Sequence, residues 1–190
     1  MPIDARHVWI GYLLIGFVAV PIVFVIRYRR SPFVARVPPS DTYGWIEALY
    51  AVSLSVYTAW LLALPPALPV APVAGFALAI LGLAVVLTGS IQLGPHWRIG
   101  QDRSDLSTER VTGGLYRVLP HPIYAGLILV GAGVALLDDS LPRAALMMAG
   151  TGLYTLVQSG EEAKHWAVRA AGGTRGESAA TERPPKAPLS

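Results

Sequence analysis

The stretch from Pro72 to Leu93 contains no charged side chain, and it limits the possible folds more than any other feature. As a helix rising 1.5 Å per residue, it would cross the roughly 30 Å hydrocarbon core of a bilayer. Two further apolar runs, at 7–26 and 43–64, precede it. Only 14% of the residues are charged, whereas soluble domains carry about 25%. The sequence therefore predicts an all-α, polytopic membrane helix bundle.

Two shorter apolar runs follow, at 122–137 and 142–160, and a polar turn containing Asp138 and Asp139 separates them. The first is short for a full crossing, at roughly 24 Å of helix. We therefore predict about five transmembrane helices within a single transmembrane domain over 1–171. The remaining segment, 172–190, is rich in Gly, Pro, Ala and Arg and is predicted to be a disordered tail.

The basic residues indicate an orientation in the membrane. Of the 15 lysines and arginines, all but Arg6 and Arg143 follow the first, third or fifth apolar run. Basic residues concentrate on the cytoplasmic side of membrane proteins. With five crossings, the N-terminus is then expected outside and the C-terminus in the cytoplasm. The membrane we expect is a bacterial plasma membrane.

Composition also argues against several classes of protein. The absence of cysteine excludes disulfide scaffolds, Cys-bound zinc and thiol catalysis. The four histidines lack the spacing of metal ligands, so no metal is expected. The net charge of +3 comes with no recognisable nucleic-acid motif, and we expect no nucleic-acid partner. Oligomeric state cannot be read from the sequence.

The connection over 94–121 is the longest between apolar runs and is rich in polar residues. Long connections in compact proteins often carry function. Pro122 favours a helix start, which places His121 and Tyr124 on neighbouring surface beside backbone N–H groups that lack helical partners. The alternative is a purely structural role, in which His121 only caps the helix.

A second polar group follows the last apolar run. The side chains of Gln158, Glu161, Glu162 and His165 recur at helical spacing on one face. Such a face can be merely a solvated helix exit. Because both groups are expected at the cytoplasmic side, however, they can together form a polar pocket at membrane depth.

Four motifs occur in order between Leu93 and His165. They are Leu93-Gly94-x-x-Trp97, Val111-Thr112-x-Gly114-x-Tyr116-Arg117, His121-Pro122-x-Tyr124-x-Gly126 and Glu161-Glu162. Together they resemble the isoprenylcysteine carboxyl methyltransferase family, whose superfamily includes phospholipid methyltransferases. The resemblance does not extend to the first two apolar runs, which match only in hydropathy.

The resemblance implies a membrane methyltransferase that uses S-adenosylmethionine at the cytoplasmic face. Its partners would be the lipid bilayer and a lipophilic acceptor, whether a small molecule, a lipid or a prenylated compound. The residues implied to bind the cofactor are Gln101, Thr108, Glu109, Arg110, Val111, Tyr116, His121, Pro122, Ile123, Tyr124 and Glu162.

The sequence departs from the family pattern at two positions. Pro120 stands where the family usually has an arginine. Gln158 stands where members that methylate a carboxyl group have another, and glutamine lacks the charge that would grip a carboxylate. Use of the cofactor is therefore better supported than methylation of a carboxyl group. Gln158 is the candidate substrate contact. Methyl transfer to oxygen is favoured, and transfer to nitrogen or sulfur is possible. Glu161 and His165 are the catalytic candidates to take a proton from the acceptor.

Two other functions remain open. Some sterol reductases share a similar helical arrangement, and an NADPH-dependent membrane reductase would need a site for the 2′-phosphate, for which Arg98 and Arg103 are candidates. The third hypothesis is a non-catalytic membrane scaffold or transport subunit. It is disfavoured because a translocation path would need polar groups, and no charged residue lies deep within the first three apolar runs.

Overall fold

Five helices make up the fold of this computed structural model, which describes residues 4–33, 42–63, 70–99 and 111–181. Within these ranges, the side chains at 42, 43, 161, 165, 166 and 168–181 are not described. The helices are α1 (Ala5–Tyr28), α2 (Thr42–Ala63), α3 (Pro72–Leu93), α4 (Pro122–Leu137) and α5 (Leu141–Thr181). The all-α class is confirmed. The middle of α1, Leu14–Ala19, is π-helical.

Three described helices are long and apolar enough to cross a membrane: Ala5–Tyr28, Gly44–Ala63 and Pro72–His96. The apolar helix α4 is shorter, at 16 residues. The chain is thus an integral membrane protein, while the number of crossings and the orientation stay predictions. Helix α5 continues to Thr181, into the segment predicted to be a disordered tail, and the domain boundaries also stay predictions.

Helix α1 starts at a side-chain cap and packs its first turns into the core. The Asp4 carboxylate accepts hydrogen bonds from the backbone N–H groups of Arg6 and His7, which have no partner within the helix. Further along, Trp9 is fully buried and its indole N–H donates to the Thr58 hydroxyl on α2 at 2.8 Å. The ring of Tyr57 meets Trp9 edge-on.

Helices α3 and α4 approach closely because glycines line their contact. A Cβ atom at Gly82 would lie 2.7 Å from the carbonyl oxygen of Gly126. One at Gly133 would lie 2.6 Å from the carbonyl oxygen of Gly75. Glycines seven apart fall near one helix face, and their missing side chains let membrane helices pack backbone to backbone. The contact places the start of α4 beside the end of α3, near Gly89.

The turn between α4 and α5 is fixed by a buried ion pair. The side chain of Asp138 is fully buried and lies 2.7 Å from Nη2 of Arg143. It also accepts hydrogen bonds from the Tyr57 hydroxyl at 3.1 Å and from the backbone N–H of Ser140. Asp139 also contacts Arg143, at 2.6 Å. These bonds satisfy the buried charge and join the turn to α2.

Candidate functional site

The start of α4 is the first part of the site. Pro122 occupies the first turn of the helix, where its missing N–H and fixed φ fit. His121 immediately precedes the helix, and its ring stacks on that of Tyr124 with centroids 5.6 Å apart. The backbone N–H groups of Ile123 and Tyr124 belong to the first turn, where no helical carbonyl is available to accept them. The side chains of His121 and Tyr124 therefore lie together at the N-terminus of α4.

Glu162 on α5 completes this group. Its carboxylate lies 2.9 Å from Nδ1 of His121 and accepts a 2.6 Å hydrogen bond from the Tyr124 hydroxyl. The Glu162 side chain is 34% exposed and that of His121 26% exposed, so the pair is reachable but partly desolvated. The structure thus brings together three residues that the family resemblance assigns to one cofactor pocket, and their role in binding stays a prediction.

Tyr116 reaches the same region from the loop before α4. Its hydroxyl lies 3.4 Å from the carbonyl oxygen of Gly89, to which it donates. Burial raises the pKa of the Tyr116 phenol, and the negative charge of Glu162 raises it further. The preceding residue is also anchored, because the backbone N–H of Leu115 donates to Oε1 of Gln92 on α3 at 2.8 Å. Tyr116 is therefore a neutral hydrogen-bonding group within electrostatic range of Glu162.

The other end of the long connection is fastened to α1. Trp97 is buried, with its ring 5.4 Å from that of Phe24. The backbone N–H of Ile99 donates to the carbonyl oxygen of Pro32 at 2.7 Å. Both described ends of the connection are thus held against other parts of the fold.

Several predicted site residues fall outside what the structure describes. The predicted cofactor contacts Gln101, Thr108, Glu109 and Arg110 lie outside the described residues, as do the side chains of Glu161 and His165. Val111 is described and half-buried. The roles of all these residues stay predictions.

Gln158 lies on the same face of α5 as Glu162, one turn earlier. Its side chain is fully buried, and in the described structure neither its amide nitrogen nor its amide oxygen has a hydrogen-bond partner. Buried polar atoms in proteins are almost always paired. Such an exception needs an explanation, and a bound ligand or an ordered water would supply one.

The sequence argument missed the contribution of α2 to this region. The ring of Tyr50 stacks on that of Tyr154 on α5 with centroids 4.3 Å apart, and Tyr154 meets Tyr124 edge-on at 6.1 Å. The phenol of Tyr154 is within electrostatic range of both Glu47 and Glu162. Glu47 is the single charged residue in the run 43–64. That isolation is the signal that could have identified it.

The chemistry of the site suits a cationic ligand that also carries a carboxylate. Glu162 supplies a negative charge whose position is fixed by two hydrogen-bonding rings, and a fixed carboxylate attracts ammonium and sulfonium groups. The first turn of α4 offers N–H groups and a partial positive charge to an anion. S-adenosylmethionine carries an ammonium group, a sulfonium group and a carboxylate, so the residues present fit it. In the described ranges, no three His, Asp or Glu side chains gather as a metal site requires.

Comparison with known proteins adds a family. The model of the phospholipid methyltransferase family matches residues 70–168, just over half of the chain, and this segment includes α3, α4, the connection between them and Glu162. No curated protein and no solved structure matches. Members of this family are membrane methyltransferases that use S-adenosylmethionine. The resemblance found in the sequence is thereby confirmed, and the chain belongs to the phospholipid methyltransferase family.

Proposed function

We propose that this chain transfers a methyl group from S-adenosylmethionine to a lipophilic acceptor, with its site at the cytoplasmic end of α4 and α5. The observation that carries the proposal is the Glu162 carboxylate held by His121 and Tyr124. These three residues lie within the segment that matches the family. A carboxylate held between two helices supports a binding site over a solvated helix exit.

Each residue of this group has a distinct task in holding the cofactor. Glu162 would bind the cationic part of S-adenosylmethionine, while His121 and Tyr124 keep the carboxylate in place. The N–H groups of Ile123 and Tyr124 would receive the anionic end. When bound, the cofactor supplies a methyl group on a positively charged sulfur. The chain's contribution to rate would be positioning and exclusion of water.

The acceptor would enter from the bilayer, and its proton must leave if the acceptor is an amine, a hydroxyl or a thiol. Glu161 and His165 follow the helical spacing of Gln158 and Glu162 and are our candidates to take that proton. Transfer to oxygen is the favoured chemistry, with nitrogen and sulfur as alternatives. The bundle would lie with its N-terminus outside and its C-terminus in the cytoplasm, as the basic residues indicate.

Calorimetric titration of the detergent-purified chain tests the cofactor. S-adenosylmethionine and S-adenosylhomocysteine should both bind saturably, and Glu162→Ala should abolish that binding without unfolding the bundle. Ser159→Ala is the matched control on α5, since the Ser159 hydroxyl bonds only within its own helix in the described structure. NADPH should not bind. Binding of NADPH with no binding of either adenosyl compound would replace the proposal with the reductase hypothesis.

A further inference from the structure

The buried amide of Gln158 points to a second ligand beside the cofactor. Its side chain is fully buried with both amide atoms unpaired in the described structure. On α5 it lies one turn from Tyr154 and one turn from Glu162, so the three side chains succeed one another along one face. Glu162 already has His121 and Tyr124 as partners. Gln158 therefore offers an unused donor and an unused acceptor next to the group that holds the cofactor.

Helix α2 packs against α5 near the face that carries Tyr154, Gln158 and Glu162. A Cβ atom at Gly150 of α5 would lie 2.6 Å from the Ser53 hydroxyl oxygen, which shows how closely the two helices approach. One turn further along each helix, Tyr50 stacks on Tyr154. Glu47, the next residue toward the helix start at this spacing, acts electrostatically on the same Tyr154. All of α2 lies outside the segment that matches the family, so the family assigns no role to Glu47.

The charges around Gln158 are unfavourable for an anion. Glu47 and Glu162 both act electrostatically on Tyr154, which lies one turn from Gln158. The stacking of Tyr50 on Tyr154 brings the start of α2 to this part of α5. His121, which could carry a positive charge, is engaged with Glu162. An acceptor carboxylate would meet negative potential and an uncharged amide, in a medium where charge interactions are stronger than in water. A group that donates a hydrogen bond, neutral or cationic, would meet complementary partners.

We propose that Glu47 and Gln158 select the acceptor: they admit a lipophilic molecule whose reacting group donates a hydrogen bond and is neutral or cationic, and they reject a carboxylate. This inference rests on the proposed function, because it concerns the acceptor side of the same site. The amide oxygen of Gln158 receives the hydrogen bond of the acceptor, and the charge of Glu47 sets the preference against anions. Both are specificity residues, and neither needs to act in methyl transfer.

Three probes with the same tail test the selection directly: dodecanol, dodecylamine and dodecanoate. Their binding to the full chain is measured at pH 7.5 by native mass spectrometry, with and without S-adenosylhomocysteine. We expect dodecanol and dodecylamine to bind at least about tenfold more tightly than dodecanoate, equivalent to about 1.4 kcal/mol. Equal or tighter binding of dodecanoate, or no saturable binding of any probe, would overturn the proposal.

Two substitutions separate the contributions. Glu47→Gln keeps the size of the side chain but removes its charge, and should reduce the discrimination against dodecanoate severalfold. Gln158→Met keeps most of the volume but removes the amide, and should weaken dodecanol binding about tenfold. Ser55→Ala, at an exposed position on α2, and Ser159→Ala are matched controls that should change neither value. Discrimination that is unchanged in both Glu47→Gln and Gln158→Met would contradict the assignment.

Titration of S-adenosylhomocysteine alone keeps the two hypotheses apart. Both selectivity variants should bind it as the parent chain does, which also shows that they are folded. If the parent chain fails to bind it but still discriminates among the three probes, the proposed cofactor site is wrong and the selection stands. If it binds and the probes are not discriminated, only the selection is wrong.

Discussion

Tyr124 donates a 2.6 Å hydrogen bond to the carboxylate of Glu162, a residue 38 positions later in the chain. The bond joins the start of α4 to α5 on the side where the long connection is anchored. At the far end of the same helix pair, Asp138 joins the turn to Arg143. The α4–α5 pair is thus fixed by polar contacts at both ends, with apolar packing between them. In the proposed cofactor site, a carboxylate held in this way would be preorganised for a cation.

The first prediction concerns that hydrogen bond. Tyr124→Phe keeps the ring that stacks on His121 and removes only the hydroxyl. Hydrogen bonds to charged groups contribute about 1.5–3 kcal/mol, so the affinity for S-adenosylhomocysteine should fall about tenfold or more. Isothermal titration calorimetry measures this change. Tyr50→Phe, which removes a hydroxyl on the α2 side, is the control and should retain the affinity. An unchanged affinity in Tyr124→Phe would show that this bond does not order the cofactor site.

A second prediction tests the orientation in the membrane. The chain has no cysteine, so single cysteines can be introduced without background. Val118 is 78% exposed before α4 and Leu141 is 81% exposed after it. A membrane-impermeant maleimide applied to intact cells should label Leu141→Cys. It should label Val118→Cys only after the membrane is permeabilised. The reverse pattern would place the site on the outer face and refute the orientation drawn from the basic residues.

Local sequence rules were sufficient for much of the fold and for part of the site. The lengths of the first three apolar runs predicted helices, which the structure shows as α1, α2 and α3. Pro122 predicted the start of α4. The meeting of His121 and Tyr124 with Glu162 followed because α5 was long enough to return to the level of the start of α4. Helix length and direction are properties that a sequence carries in its local pattern.

The remaining contacts depend on which helix packs against which, and local patterns do not encode that choice. Asp138 and Asp139 were expected only as a polar turn, whereas their pairing with Arg143 and Tyr57 needs the turn to pack against α2. Glu47 is another case. Its approach to Tyr154 is set by the packing of α2 on α5, between residues far apart in the chain. The π-helical part of α1 likewise has no local signal that we recognise.

The third prediction concerns the close packing of α3 on α4. At Gly133 an added Cβ would lie 2.5 Å from the backbone nitrogen of Ala79, and backbone cannot move aside as a side chain can. Gly133→Ala should therefore separate the helices and lower the free energy of unfolding by about 1–3 kcal/mol. Thermal unfolding in detergent measures the loss. Gly152→Ala is the matched control, because no described atom beyond its own stretch of helix backbone lies within 4 Å of a Cβ there, and alanine should be neutral or stabilising. Equal effects of the two substitutions would contradict this packing.

The fourth prediction concerns the buried pair in the α4–α5 turn. Asp138→Asn removes the charge that faces Arg143, whose side chain is only 6% exposed. Leaving a buried charge without its partner costs about 3–5 kcal/mol, although Asp139 retains part of the interaction. A large drop in thermal stability is therefore expected. Asp139→Asn removes a partly exposed partner and should cost under about 1 kcal/mol. A drop of similar size in both variants would show that Arg143 does not depend mainly on Asp138.

The same pair predicts how stability depends on pH. Burial acts to raise the pKa of Asp138, but the hydrogen bonds from Arg143 and the backbone of Ser140 and the charge of Arg143 outweigh it, so the pKa lies below its usual value. The folded state then binds the proton more weakly than the unfolded state, where the pKa is about 3.9. The contribution of Asp138 is complete above that value and is lost as pH falls through the lower folded pKa. The stability difference between the parent chain and Asp138→Asn should thus be constant near neutral pH and narrow below about pH 4. A difference that stays constant down to pH 3, or that begins to narrow near pH 6, would show that Asp138 is not the group held ionised by Arg143.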